Sequence, residues 1–215
     1  MKPANDSKIN YKDLVQRGYD SCAAEYDESR QRKAGHELTL LTSRLHDGAT
    51  ILDVGCGAGV PIAQTLAQRF AVTGVDFSRE MINRARANVP QATFIMGDIM
   101  SVKLPPSHFN AAVAFYSIFH LPREEHPELL RRIHGWLKPG GYFLATLSYL
   151  DEAPYTEDDF FGVTMYWSNY GLGDYKKIMA EVGFTLLETT VVGHGYGVEV
   201  QVSDERHPLV FAQKS

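Results

Sequence analysis

The stretch Thr50-Ile51-Leu52-Asp53-Val54-Gly55-Cys56-Gly57-Ala58-Gly59 decides how this chain of 215 residues reads. An apolar run ends in an acid and a glycine-rich turn. Apolar residues at helical spacing follow at Val60, Ile62, Ala63, Leu66 and Ala67. That order predicts a buried parallel strand, a tight loop and a helix start. Glycine at 55, 57 and 59 lets the backbone approach a ligand and adopt positive φ. The helix N-terminus then offers free N–H groups to an anionic ligand group. Pro61 suits a first turn, where a proline loses no helix hydrogen bond. The spacing is G-x-G-x-G, with Val60 where the dinucleotide fingerprint needs glycine. A pyrophosphate cofactor is therefore disfavoured.

Downstream of this loop, strand and helix patterns alternate. Phe70 to Val75 is a second apolar strand, closed by Asp76 roughly 20 residues after the loop, where an acid can bind a ribose diol. Ser78 suits an N-cap for a helix carrying Met81, Ile82 and Ala85. Ala92 to Met96 is a third strand, closed by Gly97-Asp98-Ile99, and Pro105-Pro106-Ser107 is a turn. Phe109 to Tyr116 is the fourth strand. A helix opens at Pro122 and breaks at Lys138-Pro139-Gly140-Gly141, and Tyr142 to Ser148 is the fifth strand. The sheet is expected to be mostly parallel with helices on both faces. Its ligand crevice should lie beyond the strand carboxyl ends, where Asp53 to Gly59, Asp76, Asp98 and Phe115 to His120 converge.

Upstream, Lys8 to Arg30 reads as a helix with Tyr19 and Tyr26 on one face. This helix is either a docked stripe or a lid over the ligand. Ala34 to His46 reads as a second helix, ended by Asp47-Gly48. Tyr149 to Tyr170 is expected to be an irregular, aromatic and acidic insert. A helix over Gly171 to Val182, a strand over Phe184 to Val192, a turn over 193–197 and a strand over Pro208 to Gln213 complete the chain. The last two strands, joined without a helix, should run antiparallel.

A net charge of −5 argues against a nucleic-acid partner. No apolar run is long enough to span a membrane, and Met1 to Asn10 is too polar for a signal core. Two cysteines, Cys22 and Cys56, give no disulfide framework. A cytoplasmic location fits, and with eight scattered histidines no metal is expected.

The set Asp53-Val-Gly-Cys-Gly-Ala-Gly59, Gly74-Val-Asp76-Phe-Ser78, Gly97-Asp98-Ile99 and Leu137-Lys-Pro-Gly-Gly141 resembles the class I S-adenosylmethionine-dependent methyltransferases. Within them it resembles the ubiquinone/menaquinone-biosynthesis-like and small-molecule group. The resemblance is strong over residues 45 to 148. It implies one domain with a Rossmann-like, mostly parallel seven-stranded α/β sheet and an antiparallel C-terminal strand. The domain would divide into a helical lid (1–46), a cofactor core (47–148), a substrate-side insert (149–170) and a C-terminal part (171–215). S-adenosylmethionine would be the cofactor, with Asp53, Gly55, Cys56 and Gly57 along its methionine part and Asp76 on the ribose hydroxyls. Phe77 and Ile99 would flank the adenine and Asp98 would accept from its amine. Met81 joins this set. Phe115, Tyr19 and Tyr26 would lie near the sulfonium, whose positive charge suits tyrosine faces.

The fourth strand ends Phe115-Tyr116-Ser117-Ile118-Phe119-His120, without the Asn/Asp-Pro-Pro-Tyr signature of enzymes that methylate DNA bases or protein amides. A small-molecule acceptor is expected, bound by Tyr116, Tyr166 and Trp167, to a monomer or homodimer. His120 is the candidate base, with an unperturbed pKa suited to neutral pH. Two other readings stay open: a non-catalytic sensor of the same cofactor, and a nicotinamide oxidoreductase, which Val60 disfavours.

Overall fold

The computed structural model describes residues 2–3, 10–30, 36–193 and 206–215. Its strands are β1 (Lys2–Pro3), β2 (Thr50–Val54), β3 (Ala71–Asp76), β4 (Thr93–Met96), β5 (Phe109–Ala114), β6 (Leu137–Thr146), β7 (Glu152–Phe160), β8 (Val163–Asn169), β9 (Phe184–Val192) and β10 (His207–Lys214). The α-helices are α1 (Tyr11–Ser29), α2 (Thr39–Thr42), α3 (Ile62–Leu66), α4 (Arg79–Asn88), α5 (His126–Trp136) and α6 (Leu172–Val182). Seven strands form one sheet in the order β4-β3-β2-β5-β6-β10-β9. β10 runs antiparallel to both neighbours, β6 and β9, while β4, β3, β2, β5 and β6 pair in parallel. The expected sheet, with its antiparallel end, is the one that forms.

Period-2 alternation sends successive side chains of each strand to opposite faces. Ile51, Ala111 and Val113 pack under α3 and α4 with Ala63, Leu66, Ile82 and Ala85. Leu52, Val54, Ala112 and Ala114 pack under α5 and α6 with Leu129, Ile133, Tyr175 and Met179. The chain leaves β2 for β3 and β4, then returns to the other side of β2 as β5. That reversal opens the crevice between the carboxyl ends of β2 and β5.

Several boundaries differ from those read in the sequence. The turn expected at Pro105-Pro106-Ser107 does form, and no helix lies between β4 and β5. Of the helix expected over Ala34 to His46, the described part is a 3₁₀ turn (His36–Leu38) and the one-turn α2. Thr39, Thr42 and Ser43 are weak helix formers there. β6 begins at Leu137, ahead of the expected Tyr142, and Gly140 takes φ +73° within it. The insert is not irregular: β7 and β8 form an antiparallel hairpin with Thr156 opposite Tyr166, and β1 adds to its edge. The turn expected at 193–197 lies outside the described residues after Gly193. Among the described residues no helix is long and apolar enough to cross a membrane.

Candidate active site

One cavity of about 790 Å³, counting its open mouth, gathers at the carboxyl ends of β2, β3, β4 and β5 beneath α1. Its floor is the glycine loop. Gly55, at φ +69°, lies so close to β5 that a Cβ there would meet Ser117 Cβ at 2.3 Å. Ser117 Oγ in turn donates to the Val54 carbonyl at 2.7 Å. Gly57, at φ +51°, is the opposite case: a Cβ there would meet nothing within 4 Å. Gly57 therefore leaves space for a ligand, whereas Gly55 is required by the packing.

Asp76 closes β3 into this cavity. Its Oδ2 accepts from the Gly57 N–H and its Oδ1 from the Ser78 N–H, both at 2.9 Å. A carboxylate has about four acceptor positions, so two remain for a ligand diol. Burial and the nearby Asp20 charge raise Asp76 to about 6, against the pull of those amide hydrogen bonds. Asp53 lies deeper, 2% exposed, outside the cavity lining, with Oδ2 lacking a hydrogen-bond partner. Burial, then repulsion from Asp76, raises it to about 7. An orphaned buried carboxyl beside a ligand cavity suits a cationic ligand group.

Helix α1 crosses the cavity and contacts each strand end. Lys12 Nζ donates to Asp98 Oδ2 at 2.6 Å. Gln16 Nε2 donates to the Phe77 carbonyl at 2.8 Å. Asp20 Oδ1 accepts from Ser78 Oγ at 2.6 Å and the Glu80 N–H at 3.2 Å. Ser78 is also the N-cap of α4, accepting from the Met81 N–H. Positions 12, 16, 19 and 20 form a single helix stripe.

His120 is 6% exposed and bound at both ring nitrogens. Nδ1 lies 2.9 Å from the Tyr166 carbonyl and Nε2 lies 2.7 Å from the Tyr19 hydroxyl. Burial lowers its pKa to about 4, partly countered by the Tyr166 carbonyl. The near-neutral pKa expected from sequence alone does not hold in this environment, because desolvation disfavours the imidazolium.

Of the residues named from the sequence, Tyr19, Tyr26, Gly55, Gly57, Asp76, Phe77, Met81, Asp98, Ile99, Phe115, Tyr116 and His120 all line the cavity. Asp53 and Cys56 do not. Cys56 points into the core with Ile62 and Phe94, which follows from the fold of the loop around Gly55 and Gly57. Tyr166 and Trp167 also lie off the lining. Tyr166 packs with Val15 and Met165, and the Trp167 ring lies 4.4 Å from His120. Lys12, Gln16 and Asp20 were not read as site residues. Their helical spacing marked only a surface, and their roles depend on long-range pairing. Among the described residues no group of three or more His, Cys, Asp or Glu could hold a metal.

Residues 51–141 match the methyltransferase domain family. The chain is 35% identical to the fatty-acid O-methyltransferase of Mycolicibacterium smegmatis over 46% of this chain and 37% of that protein. It is 28% identical to the (+)-O-methylkolavelool synthase of Herpetosiphon aurantiacus over 84% of this chain and 67% of that protein. The magnesium protoporphyrin IX methyltransferase of Synechocystis, solved with S-adenosylhomocysteine, shares the fold at a TM-score of 0.63. It is 15% identical, with 98% of this chain and 90% of that one covered. The chain spans about half the length of the first curated relatives it matches. These matches give the methyltransferase class and not the ubiquinone/menaquinone subgroup expected from the sequence.

Proposed function

We propose that the chain is a class I S-adenosylmethionine-dependent methyltransferase, as its match to the methyltransferase domain family and its methyltransferase relatives support, and that it moves a methyl group from that cofactor to a proton-bearing nucleophile, foremost an oxygen, of a small molecule. The observation that carries this reading is a single cavity holding both halves of a transfer site: Gly57, Asp76 and Asp98 at one end and the Tyr19–His120 pair at β5. Two relatives named for O-methylation support oxygen as the attacking atom.

The residues fit the cofactor. Gly57 leaves room for its methionine part, Asp76 keeps two acceptor positions for the ribose hydroxyls, and Asp98 and Ile99 take the adenine edge. Asp53 lies below the loop as an ionisable partner for the amino group. Bound S-adenosylmethionine supplies a methyl on a cationic sulfur, an electrophile with a neutral leaving group. The chain's own task is mainly to align the groups, and such positioning can supply ~7–11 kcal/mol.

Tyr19 and His120 handle the acceptor's proton. In the proposed step the acceptor's O–H donates to the Tyr19 oxygen, whose own hydrogen points to His120 Nε2. As the acceptor attacks, its proton passes to the Tyr19 oxygen and the Tyr19 proton passes to Nε2. His120 ends with one added proton, which it later releases to water. Trp167 and Tyr166 act on the acceptor side through His120, which they hold.

Incubation with S-adenosylmethionine and a metabolite extract, read by mass spectrometry, tests the proposal. A metabolite heavier by one methyl, absent without enzyme, is expected. Calorimetry showing binding of NAD and none of S-adenosylmethionine or S-adenosylhomocysteine would sink it.

A further inference from the structure

Lys12 stands in the first turn of α1, where the helix dipole opposes a cation. Asn10 caps that turn by accepting from the Asp13 N–H. Tyr11 anchors it, donating its hydroxyl to both oxygens of Glu125 at 2.8 Å. One turn on, Gln16 Nε2 donates to the Phe77 carbonyl at 2.8 Å. Lys12 is therefore held between two fixed points, and it lines the cavity together with Asp98. Its Nζ donates to Asp98 Oδ2 at 2.6 Å, which offsets the dipole.

Asp98 is oriented in its turn. Its Oδ1 accepts from the Met100 N–H at 2.8 Å, which leaves Oδ2 to Lys12. The pair is not sealed in: the two side chains are 37% and 28% exposed. An ion pair so exposed adds little to stability. What it does present to the cavity is a donor and an acceptor side by side. An ammonium carries three N–H donors, and one goes to Asp98. A carboxylate has about four acceptor positions, and Lys12 and the Met100 N–H take two. Next to Asp98, Ile99 lines the cavity with Leu121 and Leu129, and the three pack in one apolar cluster. An apolar wall edged by one donor and one acceptor suits a heteroaromatic ring that carries an amine beside a ring nitrogen. Adenine has that pattern, whereas a 6-oxo purine puts an acceptor where adenine has its amine.

We infer that Lys12 reads the adenine ring of the cofactor: its Nζ donates to a ring nitrogen beside the amine, N1 or N7, while Asp98 Oδ2 accepts from that amine. The inference rests on the methyl-transfer reading above and adds a residue of α1 to the cofactor site. Helix α1 then serves both ends of the cavity, with Lys12 on the cofactor and Tyr19 on the acceptor.

Calorimetry with three probes tests this: S-adenosylhomocysteine and its 1-deaza and 7-deaza analogues, in each of which one ring nitrogen becomes C–H. At least one analogue should bind the unmodified protein about tenfold more weakly than S-adenosylhomocysteine. Lys12→Met keeps an unbranched apolar stem without the donors. In that variant S-adenosylhomocysteine should itself bind about tenfold more weakly, and the penalty of that analogue should shrink to about twofold or less. The analogue that behaves so identifies the nitrogen. Should Lys12→Met not fold by circular dichroism, Lys12→Ala replaces it with the same expectation. If Lys12 only neutralises Asp98, every analogue penalty persists in the variant. That result, or equal binding of all three probes by the unmodified protein, overturns the inference. Failure of S-adenosylhomocysteine itself to bind would refute the methyl-transfer reading, and the inference with it.

Discussion

The Tyr19 hydroxyl lies 2.7 Å from His120 Nε2, and a second contact decides which of them donates. His120 Nδ1 faces the Tyr166 carbonyl at 2.9 Å, and a carbonyl only accepts. Nδ1 therefore carries the ring proton, Nε2 offers its lone pair, and Tyr19 donates. The lowered pKa, about 4, keeps this arrangement neutral through the physiological range. The sign for activity follows. A base must be unprotonated, and His120 is so at every pH above about 4, so its acid limb should fall near 4 rather than near 6.5. His120→Ala should lower kcat with cofactor affinity intact, toward the low end of the ~10²–10⁴-fold of general bases, since a pKa of about 4 makes a weak base at neutral pH. Tyr19→Phe should lower it comparably, because the proton then has no path to Nε2. Both variants keeping near-normal kcat would leave positioning as the whole mechanism.

Cofactor affinity should depend on pH through the two buried carboxyls. Asp53 and Asp76 are raised to about 7 and about 6 by burial. Both must be ionised to hold an amino group and a diol. Below these values each must first lose a proton, so affinity falls as pH drops through 7 and 6 and levels off above about 8. Calorimetry of S-adenosylmethionine at several pH values, in buffers of different ionisation heat, should show proton release near pH 6.5. A flat affinity from pH 5 to 8 would mean that neither the ribose contact of Asp76 nor the charge of Asp53 below the loop supports binding. Asp76→Ala should cost on the order of 2–4 kcal/mol of that affinity. It also frees the Gly57 and Ser78 amides that Asp76 now orders.

The parallel strands were legible because they are buried on both faces and read as continuous apolar runs, each ending in a marker such as Asp53, Asp76 or Gly97-Asp98. Those endings also made part of the cavity lining legible, since a strand's carboxyl end fixes where the next residue points. The hairpin of β7 and β8 was not legible. Pro154 and the acids at 157–159 read locally as loop, and the pairing of Thr156 with Tyr166 is visible only across the turn. Lys12, Gln16 and Asp20 were missed for a related reason. They sit on a helix stripe whose partners, Asp98, Phe77 and Ser78, lie 58 or more residues away. His120 does line the cavity, but its lowered pKa was not legible, because burial by Tyr166 and Trp167 comes from the same unread hairpin.

Trp167 offers a test of that burial. Its ring lies 4.4 Å from His120, while its Nε1 is buried without a hydrogen-bond partner. Trp167→Ala should admit water to His120 and move its pKa up from about 4 toward 6.5, measurable by NMR of the imidazole ring. Trp167→Phe keeps an apolar cover and removes the orphaned donor, so the melting temperature should hold or rise and the imidazole pKa should stay low. An unchanged His120 pKa in Trp167→Ala would show that other groups bury the ring.

The two glycines of the loop should respond to the same substitution in opposite ways. At Gly55 a methyl would meet Ser117 Cβ at 2.3 Å, and Ser117 is held by its hydrogen bond to the Val54 carbonyl. Neither side can give way, and φ +69° adds strain for any L side chain. Gly55→Ala should therefore lower the melting temperature sharply or prevent folding. At Gly57 the methyl meets nothing, so Gly57→Ala should fold at a cost of about 1 kcal/mol for its left-handed backbone. The methyl would, however, stand in the space proposed for the cofactor's methionine part. S-adenosylmethionine affinity should drop tenfold or more by calorimetry, since bound ligand atoms and a methyl cannot share that volume. If Gly57→Ala folds and binds S-adenosylmethionine normally, the cofactor does not approach the loop at Gly57, and its placement along Gly55 to Gly57 is wrong.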